Sequence, residues 1–240
     1  MTTCEIQDRL RALGNHEAAA FAARYFKTGP GEYGEGDVFL GLRAQVMHAL
    51  AKEYKTLELD QVIELLRSAV HEDRLLALLI LVRRASKAER SAKKEICDLY
   101  LAHTRFVNNW DLVDASAPTI VGGHLVDKSR KPLDRLAVSK SIWERRISII
   151  ATLHFIRQGD FADTLRIAER LLGDREDLIH KAAGWMLREV GKRDQPTLEV
   201  FLRQHVQIMP RTMLRYAIER FSQEKPKAFL GSLRVPRRAP

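Results

Sequence analysis

The chain of 240 residues has only two cysteines, Cys4 and Cys97, and no long run of apolar residues. Two distant cysteines without CxxC spacing support neither a disulfide framework nor a zinc finger. A membrane-spanning helix needs roughly 18 or more apolar residues, and a secretory signal would not place Glu5 near its start. The sequence therefore predicts a soluble cytoplasmic protein that does not engage a membrane.

Patterns typical of strands, metal sites and catalytic triads are also missing. No β-branched run with a period of two lies between turn residues. The eight histidines are dispersed, and none has another three or four residues away, as a helical metal site would require. There is no GxSxG motif to mark an activated serine. We therefore predict no metal and no cofactor.

Residues 29–34 match the pattern GxGxxG, which indicates a nucleotide site when it follows a strand and opens a helix. Here the pattern follows a predicted helix. It also contains Pro30 and has Glu32 and Glu35, whose charge would repel phosphate. We expect a structured loop here and no nucleotide site.

What the chain does contain is helical periodicity, which runs almost throughout with short connections. Pairs of antiparallel helices at intervals of roughly 35 to 45 residues are typical of HEAT-like repeats. The prediction is an all-α fold, a curved α-solenoid of HEAT-like antiparallel helix pairs, with a compact helical bundle as the alternative. We expect one domain over residues 1–224 and a basic, partly disordered tail over residues 225–240.

The net charge of +9 and an isoelectric point of about 9.7 favour a polyanionic partner. Nucleic acid is the first candidate, and an anionic membrane surface is a second one that the lack of a long apolar run disfavours. If nucleic acid is the partner, we expect a cytoplasmic protein that associates with the nucleoid when bound to DNA.

The predicted helix beginning at Trp110 carries a carboxylate on its apolar side. At about 100° per residue, Trp110 and Asp114 share one stripe with Ala117 and Val121. Asp111 has a local explanation, since an acidic residue in the first turn complements the helix dipole and can complete a cap with Asn108. Asp114 has no such explanation. An indole and a carboxylate one turn apart can stabilise a cation.

The next long helix places Arg146 on its apolar stripe, which consists of Ile142, Ile149, Leu153 and Ile156. Trp143 is interpreted as a core residue. A buried arginine requires a partner. That partner is either an acidic residue of a neighbouring helix, with Asp114 as one candidate, or a phosphate, to which the planar guanidinium is suited.

The predicted helix over residues 176–192 points Trp185 away from its core side, which is formed by Ile179, Ala183, Met186 and Val190. Lys181 and Arg188 lie beside this tryptophan. A lone tryptophan on a helix is more often a core residue than a ligand-binding one. An indole between two cations is, however, also suited to packing against nucleic acid.

At these residues the chain resembles the AlkD-type alkylpurine DNA glycosylases, a HEAT-like-repeat DNA alkylation repair family. Trp110 and Asp114 match the family's W-D-x-V-D segment, Arg146 matches the arginine after the helix tryptophan, and Trp185 matches K-A-x-G-W-x-L-R-E. The resemblance includes the segment from Ala23 to Lys27 around Tyr25, and Phe39-Leu40-Gly41. It spans nearly the whole chain and weakens in the tail.

The resemblance implies removal of N3- or N7-alkylated purines from double-stranded DNA by a monomeric enzyme. It implies that Asp114 stabilises positive charge on the sugar and orients water, and that Trp110 and Trp185 place ring faces against the sugar. Arg146 would hold a phosphate, and Lys181, Arg188 and Tyr25 would contribute to DNA binding. No catalytic lysine matches a family motif, which implies a monofunctional enzyme that leaves an abasic site.

Two other functions remain open from the sequence. A non-catalytic HEAT-like DNA-binding paralogue would recognise damaged or branched DNA through its phosphates and perform no chemistry. A protein-binding helical scaffold would use its positive charge only for solubility. Retention of all four matching residues argues against the non-catalytic paralogue. Salt-sensitive DNA binding would argue against the protein-binding scaffold.

Overall fold

The structure of the protein is a computed structural model that describes residues 2–221. Over this range the all-α prediction is confirmed, because the regular elements are helices and the one β-type pairing is an isolated bridge between Val38 and Val70. No helix within these residues has both the length and the apolar character needed to cross a bilayer. The predicted basic tail, residues 225–240, lies outside the described residues.

The chain divides into two compact units, the first ending at His124 and the second beginning at Leu125. Each has its own helices and core and is described by itself. The single domain over residues 1–224 stays a prediction.

The first unit is built around one buried helix. Its helices are α1 (Thr3–Ala12), α2 (His16–Tyr25), α3 (Ala44–Glu53), α4 (Leu59–Leu66), α5 (His71–Lys87), α6 (Arg90–Ala102) and α7 (Trp110–Ala117). The middle of α5 is apolar on all sides, as expected for a helix enclosed by others. Residues Leu76 to Leu81 are at most 5% exposed, and α3, α4 and α7 pack around them.

The second unit is arranged around α12. Its helices are α8 (Lys131–Ala137), α9 (Ile142–Ile150), α10 (Leu153–Ile156), α11 (Ala162–Arg170), α12 (Asp177–Gly191), α13 (Gln195–His205) and α14 (Arg211–Ala217). The predicted core side of α12 is confirmed, since Ile179, Ala183, Met186 and Val190 are fully buried. Helices α9, α11, α13 and α14 pack against α12.

Two helices are shorter than the apolar periodicity over residues 110–125 and 142–157 predicts. The helix that begins at Trp110 leaves α geometry at Pro118, and a π-helical turn follows over Pro118–Gly122, because proline cannot donate the next backbone hydrogen bond. The helix that begins at Ile142 ends at Ile150. The hydroxyls of Ser148 and Thr152 donate to the carbonyls of Arg145 and Ile149, an interaction that bends or interrupts helices.

Gly184 marks the close approach of α12 to α14. A Cβ atom at this position would lie 2.5 Å from both the Met213 carbonyl oxygen and the Tyr216 Cβ. Alanine is favoured over glycine in a free helix by about 1 kcal/mol, but this gain cannot offset separating two packed helices. We expect Gly184→Ala to lower the free energy of unfolding by about 1–3 kcal/mol in urea titrations.

Gly173→Ala is the matched control for that prediction. Apart from Gly173 itself and its two chain neighbours, no heavy atom lies within 4 Å of a Cβ built at this position, and the φ of Gly173 is not positive. This substitution should leave stability unchanged or slightly raise it. Equal effects of the two substitutions would contradict the assigned close approach.

Candidate functional site

Helix α7 begins at Trp110 and is capped by a buried asparagine. The side-chain oxygen of Asn109 accepts a hydrogen bond from the Trp110 backbone N–H at 2.8 Å, and Asn109 is fully buried. The expected cap at Asn108 is therefore wrong by one residue. The Asn108 amide instead donates to Asp37 at 3.2 Å. This contact attaches the start of α7 to the loop between α2 and α3.

Aromatic rings from distant parts of the first unit meet at Trp110. Phe26 stacks on Trp110 with ring centroids 5.1 Å apart, and Phe39 stacks on the other side of Phe26 at 5.0 Å. Tyr25 meets Trp110 edge to face at 5.9 Å. Phe21 stacks on Tyr25 at 6.0 Å, and these two outer rings are 62% and 56% exposed. We call these five residues the aromatic cluster.

Beneath the aromatic cluster lies a buried group of two acids and two bases. His71 stacks on Phe39, and its two ring nitrogens lie 3.2 Å from Asp37 and 2.8 Å from Asp111. Arg74 pairs with Asp37 at 2.7 Å. With His71 protonated, the four side chains sum to zero charge. We call them the His71 network; it fixes Asp111, and with it the first turn of α7, against α5.

The pKa of His71 reflects two opposing influences. Burial, the largest single influence, lowers this pKa, but the hydrogen bonds to Asp111 and Asp37 and the charge of Asp111 together raise it above its usual 6.5. Burial also raises the pKa of Asp37, but the hydrogen bond from His71 and the charge of Arg74 bring it below its usual value. Both shifts favour the fully ionised network.

This raised pKa gives a pH-dependent prediction. A group whose pKa is higher in the folded state stabilises the fold below its unfolded pKa, and the stabilisation is lost as pH rises through the folded value. We expect His71→Gln to destabilise the protein by about 1–3 kcal/mol at pH 6 and by progressively less above the folded pKa of His71. Urea unfolding of both proteins from pH 6 to 9 measures the difference. A pH-independent difference would contradict the charged assignment.

In the glycine-rich loop at residues 29–35, backbone N–H groups bind carboxylates of the same loop, in the place that phosphate would take in a nucleotide site. The backbone N–H of Gly29 donates to Glu32 at 2.9 Å, and that of Gly31 donates to Glu35 at 2.8 Å. The structured loop expected from the sequence is confirmed. These amides are occupied by acidic side chains of the same loop.

The Phe39-Leu40-Gly41 segment is fixed by one buried carboxylate of α5. Glu72 is 4% exposed and accepts from the backbone N–H groups of Leu40 at 2.9 Å and Gly41 at 2.7 Å. Gly41 has φ +78°, and a Cβ there would lie 2.4 Å from the Asn15 carbonyl oxygen. Only glycine fits this position without strain. The segment thus places Phe39 in the aromatic cluster.

Asp114 lies one turn after Trp110 and is half-buried. Leu112, Val113, Ser116 and Ala117 form the buried side of α7. Tyr100 of α6 is fully buried and contacts the Ser116 hydroxyl at 3.0 Å. Burial is the main cause that raises the Tyr100 pKa, and the nearby charge of Asp114 raises it further. Asp114 therefore lies near the α6 side of α7, at the edge of the core.

In the second unit, Arg146 is on the core side of α9 as the sequence predicted. It is 5% exposed, and its Nη1 donates to the Leu178 carbonyl in the first turn of α12 at 2.7 Å. Trp143 is 8% exposed, which confirms it as a core residue. Arg146 therefore contacts the turn of α12 that precedes Lys181 and Trp185.

The remaining predicted residues lie on α12. Trp185 is half-buried, and Lys181 pairs with Asp177 at 2.7 Å with 41% of its side chain exposed. Arg188 is more enclosed, with 18% of its side chain exposed, and it forms an ion pair with Glu219. Each cationic residue beside Trp185 thus has one acidic partner. These two partners, Asp177 and Glu219, are exposed.

The structure brings Tyr25, Trp110 and Asp114 together in the first unit and places Arg146, Lys181, Trp185 and Arg188 on two packed helices of the second. The His71 network and the roles of Phe26 and Phe39 were not predicted from the sequence. Phe26 and Phe39 belong to the two segments that carry the resemblance, which was an available indication. Among residues 2–221, no group of three or more His, Cys, Asp or Glu side chains is arranged to hold a metal ion.

Comparison with known proteins gives one family. A model of the family described as DNA alkylation repair enzyme matches residues 6–221. A solved structure described as a predicted DNA alkylation repair enzyme from Enterococcus faecalis has a TM-score of 0.66 and 18% sequence identity, and the match covers 88% of this chain and 97% of that one. This structural likeness concerns the fold. No curated protein matches the chain.

Proposed function

Because the chain belongs to the DNA alkylation repair enzyme family, we propose that it is a DNA glycosylase that hydrolyses the N-glycosidic bond of cationic N3- or N7-alkylated purines. The observation that supports this most is the pair of Trp110 and Asp114, one turn apart on a helix whose start is fixed by the His71 network. A carboxylate beside an electron-rich ring is suited to a cation.

The chemistry requires charge stabilisation more than acid catalysis. Alkylation at N3 or N7 makes the purine cationic, so that the base leaves as a neutral molecule without being protonated. Positive charge then develops on the deoxyribose. In the proposed mechanism the Asp114 carboxylate stabilises this charge and orients the attacking water, and the Trp110 ring face lies against the sugar. Because the Asn109 cap and the His71–Asp111 contact hold the first turn of α7, Trp110 and Asp114 need little reorganisation during the reaction.

The resemblance also assigns roles to residues of the second unit. On that basis Trp185 is proposed to place a ring face against the sugar, and Arg146 to hold a backbone phosphate near the lesion. Lys181, Arg188 and the exposed Tyr25 contribute to DNA binding. The exposed rings of Tyr25 and Phe21 support this assignment, because accessible aromatic rings on which bases can stack are typical of nucleic-acid surfaces. The proposed partner is double-stranded DNA bound by a monomer.

The test is release of free base from duplex DNA that carries a single 7-methylguanine. We expect wild-type protein to release 7-methylguanine in single-turnover reactions and to leave an alkali-labile abasic site in an uncut strand. A duplex with an uncharged purine adduct is the matched control, and it should remain intact because its base cannot leave without protonation. Equal release of both bases would contradict charge-based selection.

Two other results would redirect the proposal. Binding to DNA without release of 7-methylguanine or 3-methyladenine would support a non-catalytic DNA-binding protein of this family. Trapping of an enzyme–DNA adduct at a lysine by borohydride would exclude the monofunctional mechanism, because such an adduct requires a covalent imine to the sugar.

A further inference from the structure

A cleft in the first unit is lined by cationic and hydroxyl side chains and by no acidic residue. It lies between the C-terminal ends of α3 and α5 and has a volume of about 340 Å³, within the range of small ligand sites. Its lining residues are Lys52, Lys55, Thr56, Arg83, Arg84, Ser86 and Lys87. We call it the basic cleft.

The basic cleft is separate from the aromatic cluster. His71, which stacks on Phe39, begins α5, and Lys87 ends it. Seventeen residues of α-helix span roughly 25 Å, so the two sites lie at opposite ends of α5. A ligand in the basic cleft would not overlap Trp110 or Asp114.

Helix-dipole compensation does not account for this much charge. The C-terminal ends of two helices carry a partial charge of about −0.5 each, which cationic side chains commonly offset. Five cationic side chains line the basic cleft, so an excess of roughly four positive charges remains, or roughly three with nearby Glu58 counted. Two other clefts differ, since Glu17 accompanies Arg43 in one and Glu169 accompanies Arg166 in the other.

Two of the five cationic side chains are fixed by backbone carbonyls. Arg83 donates to the His48 carbonyl at 3.1 Å, and Arg84 donates to the carbonyls of Lys55, at 2.9 Å, and Leu57. Burial lowers the pKa of Arg84, which shows that its charge is partly removed from water. Lys52, Lys55 and Lys87 are exposed, and none has a carboxylate within 4.0 Å among the residues that the structure describes.

We propose that the basic cleft is a phosphate-binding site that takes a ligand with several adjacent phosphate groups. Three exposed ammonium groups and two guanidinium groups held by backbone carbonyls suit multiply charged phosphate, for which lysine and arginine are the usual partners. The Thr56 hydroxyl adds a neutral donor. Such a ligand is either a free oligophosphate or the backbone of a nucleic acid.

The test compares the full-length protein with a triple variant, Lys52→Gln, Lys55→Gln and Lys87→Gln. Arg83 and Arg84 are kept because their hydrogen bonds support the fold. The matched control removes three exposed lysines of the second unit, Lys131→Gln, Lys140→Gln and Lys192→Gln. Calorimetry with inorganic tripolyphosphate and binding of an undamaged 30-bp duplex at several salt concentrations are the two measurements.

We expect the triple variant to bind at least one of the two probes about tenfold more weakly than the control variant does. Loss confined to tripolyphosphate would identify a free oligophosphate as the ligand. A DNA salt slope that falls by about 0.9 for each lost phosphate contact would identify nucleic acid. Equal binding of both probes by the two variants would overturn the proposal.

Phosphate binding in the basic cleft does not depend on the proposed glycosylase activity. At saturating enzyme the triple variant should release 7-methylguanine from a short duplex at the wild-type single-turnover rate, because none of its changes lies near Asp114. Failure of the glycosylase assay in all proteins would therefore leave the tripolyphosphate measurement valid.

Discussion

Asp114→Asn is expected to reduce single-turnover release of 7-methylguanine by roughly a hundredfold or more, equivalent to about 2.7 kcal/mol of transition-state stabilisation. The amide retains the shape of the carboxylate but not its charge, so it can no longer offset positive charge on the sugar. DNA affinity should stay within about threefold of wild type, because the substitution removes no cationic contact to phosphate.

The measurement is base release from a 7-methylguanine duplex with enzyme in excess, with DNA affinity measured in parallel. Asp98→Asn is the matched control, since Asp98 undergoes the same chemical change on the exposed face of α6, where it pairs with Lys94. A thermal midpoint close to wild type would show that the loss does not arise from unfolding. Unaltered excision by Asp114→Asn would exclude the assigned role.

Helix periodicity predicted most of the architecture because it depends on neighbours three and four residues apart. Residues 176–192 were predicted as a helix, and α12 spans Asp177–Gly191. The same periodicity placed Arg146 on the core side of α9 and Trp185 off the core side of α12. Periodicity alone continued the Trp110 helix past Pro118, whereas α7 ends one residue before that proline.

The His71 network was not predictable in the same way. His71 lies 34 residues from Asp37 and 40 residues from Asp111, and nothing in the local sequence pairs them. In the sequence alone, its acidic and basic members cannot be distinguished from ordinary surface residues. The end of α9 had a weaker local indication, since Ser148 and Thr152 interrupt an otherwise apolar segment. Local patterns thus predict elements, whereas buried polar networks depend on contacts between distant segments.

This difference affects how the candidate residues of each unit can be interpreted. In the first unit, three features fix the position of α7: the Asn109 cap, the aromatic cluster and the His71–Asp111 hydrogen bond. In the second unit, Arg146 has a structural contact of its own, the Leu178 carbonyl. A role for Arg146 in phosphate binding must therefore be separated experimentally from its contribution to the fold.

Arg146→Ala is expected to weaken DNA binding and excision together. The loss of a phosphate contact should reduce the slope of log affinity against log salt concentration by about 0.9. Loss of the buried side chain should also destabilise the fold by about 2–4 kcal/mol, because a cavity forms and the Leu178 carbonyl loses its donor. Binding must be measured well below the thermal midpoint of the variant.

Arg146→Lys and Arg157→Ala are the controls that separate the two effects. Arg146→Lys keeps the positive charge and should retain the wild-type salt slope even if the fold is less stable. Arg157 is exposed at the end of α10, and its removal should change neither stability nor excision. If Arg146→Ala is destabilised but keeps the wild-type salt slope, the Arg146 guanidinium serves only the contact between α9 and α12, and the phosphate must be bound elsewhere.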